Sequence, residues 1–158
     1  MRARRRDPRP RIVVGYDGSE TARAAVTWAA ERAGSTGTVY VVHCFSPPVD
    51  WYNPIGDGRV PHDSGGRGKA VLDALLLEGG NALLDADYEL ELVGGNPAEG
   101  IANAAKEHDA DEIVVGSHGF EKLRSALGSV SHDLLHVADR PVIVIPYKAV
   151  REHAGSAS

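Results

Sequence analysis

Along this chain, short β-branched apolar runs alternate with longer stretches in which apolar residues recur at helical spacing. Arg11-Ile-Val-Val-Gly-Tyr16 is a compact apolar run closed by Asp17-Gly18, which predicts a buried strand and a turn. Ser19 can cap a helix running to about Ala33, in which Ala22, Ala25, Val26, Ala29 and Ala30 share one stripe before Gly34 stops it. Thr38–Phe45 is almost continuously apolar, as expected of a strand covered on both faces.

Residues 46–68 break this rhythm. Pro47, Pro48, Pro54 and Pro61, with Gly56, Gly58, Gly65, Gly66 and Gly68, predict a long irregular loop, either a lid or a disordered segment. Lys69–Leu84 returns to helical spacing, with Gly79-Gly80 expected to end that helix early. Tyr88–Val93 alternates apolar residues with Glu89 and Glu91, the mark of a half-exposed strand near a sheet edge. Asn96-Pro97-Ala98-Glu99 is a strong helix start, and that helix extends to about His108. Glu112–Gly116 predicts a buried strand, Ser129–Ala138 a helix and Pro141–Pro146 a last strand.

The order βα-βα-βα-βα-β specifies an α/β fold: a single doubly wound five-stranded, mostly parallel sheet with helices on both faces. In such sheets ligands bind beyond the carboxyl ends of the strands, where the strand order reverses. Tyr16-Asp17-Gly18, His43-Cys44 and the loop opened by Gly116 stand at those ends.

Composition narrows the picture. A chain of 158 residues, 42% hydrophobic and 25% charged, suits one globular domain with a real core. The domain is expected over residues 11–147, with a disordered arginine-rich leader at 1–10 and a tail at 148–158. The net charge of −5 hides an asymmetry: residues 1–11 hold six arginines and one aspartate, about +5, leaving about −10 on the rest. An acidic body argues against a nucleic-acid-binding face, and no apolar stretch is long enough to span a membrane. The single cysteine, Cys44, cannot form an internal disulfide, which fits a cytoplasmic protein.

The chemistry concentrates after Ile113-Val114-Val115. Gly116-Ser117-His118-Gly119 is followed, after an eight-residue spacer, by Gly128-Ser129 at the mouth of a helix. Glycines let backbone N–H groups approach an anion, and a helix start adds unpaired donors and a positive dipole end. The same residues also read as ordinary turns, with Gly128 preceding a Ser129 cap. Neither a Walker A sequence nor G-x-G-x-x-G in the first turn is present.

On these residues the chain resembles the universal stress proteins. The matching segments are Ile12-Val-Val-Gly-Tyr-Asp-Gly-Ser19, the strand ending Val42-His43, Gly116-Ser-His-Gly119, Gly128-Ser-Val-Ser131 and Asp139-Arg-Pro-Val-Ile-Val-Ile-Pro146. The ATP-binding branch of that family carries G-x2-G-x9-G-Ser/Thr, and here the second spacer, Phe120–Leu127, is one residue shorter. The resemblance implies strand order 3-2-1-4-5 and a site for ATP or another adenine nucleotide. Asp17 would contact the ribose, the Cys44 main chain would read the adenine edge, and Gly116 would lie against the ribose. Gly119, Gly128, Ser129 and Val130 would surround the phosphates. It also implies a homodimer through the Pro141–Pro146 strand and a sensor or regulatory role in a stress response.

Other residues were weighed against plain structural roles. Asp17 can instead stabilise the Gly18-Ser19 turn. His43 reads better as a hydrogen-bonded structural residue than as a catalyst. His118 and Lys122 lie in the phosphate loop, and Trp51 and Tyr52 can stack on a base or anchor their own loop. His132 and His136 share a helix face with Asp133 between them, but a zinc site needs a third ligand and usually a glutamate base, so no metal site is expected. No catalytic triad or carboxylate pair stands out, so no catalytic residue is named. The rivals to a binding module are a slow ATPase or phosphotransferase, with Asp17 helping to hold Mg²⁺, and a homodimeric interaction protein that takes no nucleotide.

Overall fold

A computed structural model describes residues 9–45, 64–83, 85–117 and 127–150. Most of the arginine-rich leader, much of the proline- and glycine-rich segment and the loop positions 118–126 lie outside the described residues, as does the tail from 151.

Among the described residues the main elements follow in the order β1 (Arg11–Gly15), α1 (Glu20–Ala33), β2 (Thr38–Phe45), α2 (Ser64–Leu83), β3 (Asp87–Gly94), α3 (Pro97–Glu107), β4 (Glu112–Gly116), α4 (Ser129–Val137) and β5 (Val142–Ile145). The five strands form one sheet in the order β3-β2-β1-β4-β5, and every pairing is parallel. The direction of winding reverses between β1 and β4, so the crevice beyond their carboxyl ends is the switch point of the fold.

The near-continuous apolarity of the inner strands follows from coverage on both sides. Ile12, Val14, Val39, Val41 and Val114 face α1 and α2, in one core with Val26, Leu72 and Leu75. Val13, Val42, Ile113 and Val115 face the opposite way, against Ile101 and Ala105 of α3 and Leu134 of α4. β3 lies at an edge and is half-exposed, as its sequence predicts, but its exposure does not alternate: Tyr88 and Leu92 are exposed, while Leu90, Glu91 and Val93 are half-buried.

The helix ends follow the predicted chemistry. Ser19 caps α1, its side chain accepting from Ala22 N–H at 3.2 Å, and Asn96 caps α3 by accepting from Glu99 N–H at 3.1 Å with Pro97 at the start. α3 stops at His108, whose carbonyl accepts a hydrogen bond from Arg11 while its ring stacks on Tyr40 at 3.8 Å and pairs with Glu91.

Two expectations for the middle of the chain are corrected. α2 begins at Ser64, so residues 64–68 are helical where an irregular loop was expected. Gly68 is buried in the first turns, and a Cβ there would collide with the Leu92 side chain, so the glycine lets α2 approach the sheet edge closely. The helix also runs through Gly79-Gly80 to Leu83. Two glycines cost roughly 2 kcal/mol of helix propensity, and full burial of the Leu83 side chain holds the last turn onto the core.

Candidate functional site

A cavity of about 270 Å³ opens at the switch point. Its walls come from the carboxyl ends of β1, β2 and β4 and from the first turns of α1, α3 and α4. Six of the seven sequence-predicted residues line it: Asp17, Cys44, Gly116, Gly128, Ser129 and Val130. The seventh, Gly119, lies outside the described residues, as do His118, Lys122, Trp51 and Tyr52.

The walls divide by chemistry. Val42, Ile101, Val115, Pro97 and Cys44 form an apolar slot suited to a flat ring. Asp17, Ser19, Ser117, Ser129 and Ser131 supply polar groups, and Asp17 is the one charged residue among the described lining. Sequence reasoning did not single out Pro97 or Ile101 as parts of the site, and it named Tyr16, Ser117 and Ser131 only within their segments, with no role of their own. Pro97 and Ile101 were recognisable only as a helix start and its first apolar turn, and their place at the slot depends on how α3 crosses β2.

Asp17 has the turn role that competed with ligand contact. Its Oδ1 accepts from Ser19 N–H at 2.9 Å, bracing the turn that starts α1. Among the described residues its Oδ2 takes no hydrogen bond, so one oxygen serves the turn and the other is left over in a residue that lines the cavity.

Cys44 is fixed by packing. A Cβ on Gly100 of α3 would lie 2.8 Å from the Cys44 sulfur, so the glycine leaves room for the thiol, whose S–H faces the Pro97 carbonyl at 3.7 Å. Burial pushes the thiol up from 9.0 to about 11, because the charged thiolate is poorly solvated there. It is a weak nucleophile at neutral pH, consistent with a main-chain role.

Gly116 is required by its own neighbour. A Cβ there would lie 2.7 Å from the Thr21 Cβ and 2.8 Å from the Thr21 carbonyl carbon, so α1 and β4 meet closely enough to exclude any side chain. His43 is structural: its Nδ1–H donates to the Tyr16 carbonyl at 2.7 Å, tying the ends of β1 and β2 together.

The two feet of the phosphate loop are joined. Gly128 N–H donates to the Ser117 carbonyl at 2.5 Å, and Ser117 N–H donates to Ile145 of β5 at 2.8 Å. Gly128, not Ser129, is the cap residue of α4, and among the described residues no side-chain cap hydrogen bond is made there. This corrects the reading of Ser129 as the cap, and leaves its exposed hydroxyl and the helix N-terminus to an anion. Among the described residues, no group of three or more His, Cys, Asp or Glu side chains is placed to hold a metal. No helix among them is long and apolar enough to cross a membrane.

A parallel sheet of order 3-2-1-4-5 with a crevice at its reversal point defines a doubly wound α/β protein. The family model of the universal stress proteins matches residues 8–146, and the chain belongs to that family. It is 32% identical over 137 residues to the Thermus aquaticus universal stress protein in QAH/OAS sulfhydrylase 3'region, covering 85% of this chain and 96% of that one. Its fold is similar to universal stress protein UspA from Lactobacillus plantarum, with TM-score 0.72, 25% identity and coverage of 88% and 99% of the two chains. It is also similar to the universal stress protein from Archaeoglobus fulgidus solved in complex with dAMP, with TM-score 0.51, 29% identity and coverage of 86% and 96%.

Proposed function

We propose that this chain binds an adenine nucleotide, ATP or a shorter relative, in the cavity at the switch point and serves as a sensor or regulatory protein in a stress response. The observation that carries the reading is the convergence of Asp17, Cys44, Gly116, Gly128, Ser129 and Val130 on one cavity, with the α4 N-terminus at its polar end. The base lies in the apolar slot beside the Cys44 main chain. Asp17 Oδ2 accepts from a ribose hydroxyl, and the phosphates sit against Gly128, Ser129 and Val130, with Gly119 approaching from the loop. The dAMP bound by the Archaeoglobus relative supports an adenine ligand of this size.

The same reading pairs two chains through the edge strand β5. Val142 and Val144 are half-buried there, and Leu135 and Val137 of the adjacent α4 are exposed apolar side chains. Among the described residues no strand pairs with the outer edge of β5, and an apolar edge of this kind favours an isologous pairing with a second copy.

Native mass spectrometry of freshly purified protein tests the ligand. A mass increment matching an adenine nucleotide supports the reading. The ion of the bare chain, together with no uptake of added ATP or AMP, overturns it. Phosphate release measured beside the Asp17→Ala variant decides whether any turnover accompanies binding.

A further inference from the structure

We propose that His132 and His136 form a two-imidazole chelate for a borderline divalent transition-metal ion, with Cu²⁺ bound most tightly. The inner face of α4 is fixed by Leu134, which is fully buried, and Ser131, whose hydroxyl donates to the Gly128 carbonyl at 2.9 Å. That anchoring turns both histidines outward, where they are exposed four residues apart on adjacent turns.

The rings are neighbours, in an edge-to-face contact with centroids 5.2 Å apart and 69° between the planes. A metal–nitrogen bond of about 2.0–2.1 Å, plus about 1.1–1.2 Å from nitrogen to ring centre, places each centroid about 3.2 Å from a shared ion. Two such arms spanning 5.2 Å would enclose about 109° at the ion, and a slightly shorter span gives the right angle between neighbouring positions of a tetragonal Cu²⁺. Chelation needs one nitrogen of each ring turned toward the ion, a rotation that two exposed side chains on adjacent helical turns are free to make.

The intervening backbone is in place, with His132 N–H bonded to the Gly128 carbonyl at 3.0 Å and Ala138 N–H to the Leu134 carbonyl at 2.8 Å. Little ordering therefore accompanies binding. Among the described residues no third ligand completes the set, which excludes a closed structural zinc site and leaves the remaining positions to water. An open imidazole pair selects by intrinsic affinity, so Cu²⁺ binds ahead of Ni²⁺ and Zn²⁺.

The test is a Cu²⁺ titration of the full-length, tag-free chain, read by calorimetry and by electron paramagnetic resonance. One low-micromolar Cu²⁺ per chain is expected, with two nitrogens in its equatorial plane. His132→Asn and His136→Asn should each weaken binding at least about tenfold, and the double variant should lose little more, because a chelate fails when either arm is removed. Combining His136→Asn with Val137→His keeps the histidine count at seven but breaks the spacing, and this variant should bind as weakly as the single ones. Wild-type affinity in either single variant, or recovery with Val137→His, would overturn the chelate. Circular dichroism and melting of each variant show that the fold persists, and the ligand site of α4 is untouched, so the outcome is independent of nucleotide binding.

Discussion

Asp17 carries two roles that different substitutions separate. Asparagine keeps an Oδ1 acceptor for Ser19 N–H, whereas alanine removes it. Asp17→Ala should therefore lower unfolding free energy by about 1 kcal/mol in urea denaturation, and Asp17→Asn by only a few tenths. If Asp17 holds the ribose as proposed, calorimetry should show weaker nucleotide binding in both, since neither keeps the carboxylate. Equal stability for the two variants would show that the turn does not depend on the acceptor. Cys44 makes a pH-dependent prediction. Its folded-state value is raised to about 11 from 9.0, so the contribution is fully present below 9.0 and lost as pH rises towards 11. Comparing denaturation midpoints at pH 8.5 and 10.5 should show a larger loss for the wild type than for Cys44→Ser. Slow alkylation of the native thiol at pH 8 follows from the same burial. At Gly116 the obstacle includes Thr21 backbone, which no rotamer change removes. Gly116→Ala should cost about 1–3 kcal/mol in the same denaturation assay, and wild-type stability would show that α1 can move away from β4.

At the scale of elements, legibility in the sequence tracked how local each signal is. β2 lies at Thr38–Phe45 as expected, and α1 starts at Glu20 behind Ser19, because burial on both faces and a side-chain cap are written in adjacent residues. α2 was harder to read because its first turns contain glycines, which in isolation disfavour helix. Gly68 is helical for a tertiary reason, the closeness of Leu92 and His43, which no local window contains. The same contrast runs through the site. Its glycines, Asp17 and Ser129 could be picked out as residues with loop and cap chemistry. Ile101 could not, since its place in the cavity wall depends on α3 crossing the sheet, and Ser117 was legible only as part of its motif, its own place resting on β5 holding its N–H. Gly128 displaced Ser129 as the cap by a single position, within the ordinary uncertainty of helix boundaries.

Across the whole molecule, the cavity lies at the carboxyl end of one parallel sheet, and β5 is an edge strand of that sheet among the described residues. If β5 pairs with a second copy, sedimentation velocity at micromolar concentration should give a species of twice the chain mass, and a persistent monomer at 100-fold higher concentration would contradict that pairing. The central claim, an adenine-nucleotide site, reaches the whole molecule through stability, because a ligand that binds only the folded state raises the melting temperature. At a ligand concentration about 100 times its dissociation constant the gain is about 2.7 kcal/mol, or roughly 5–10 °C for a domain of this size. The most direct measurement is a melting series with AMP, ADP, ATP and GTP up to millimolar concentration, on the wild type and on Gly119→Val. The wild type should be stabilised by at least one adenine nucleotide and much less by GTP. Gly119→Val should melt as the free wild type does and show no such shift. Absence of stabilisation by any adenine nucleotide, or an undiminished shift in the variant, would contradict the account.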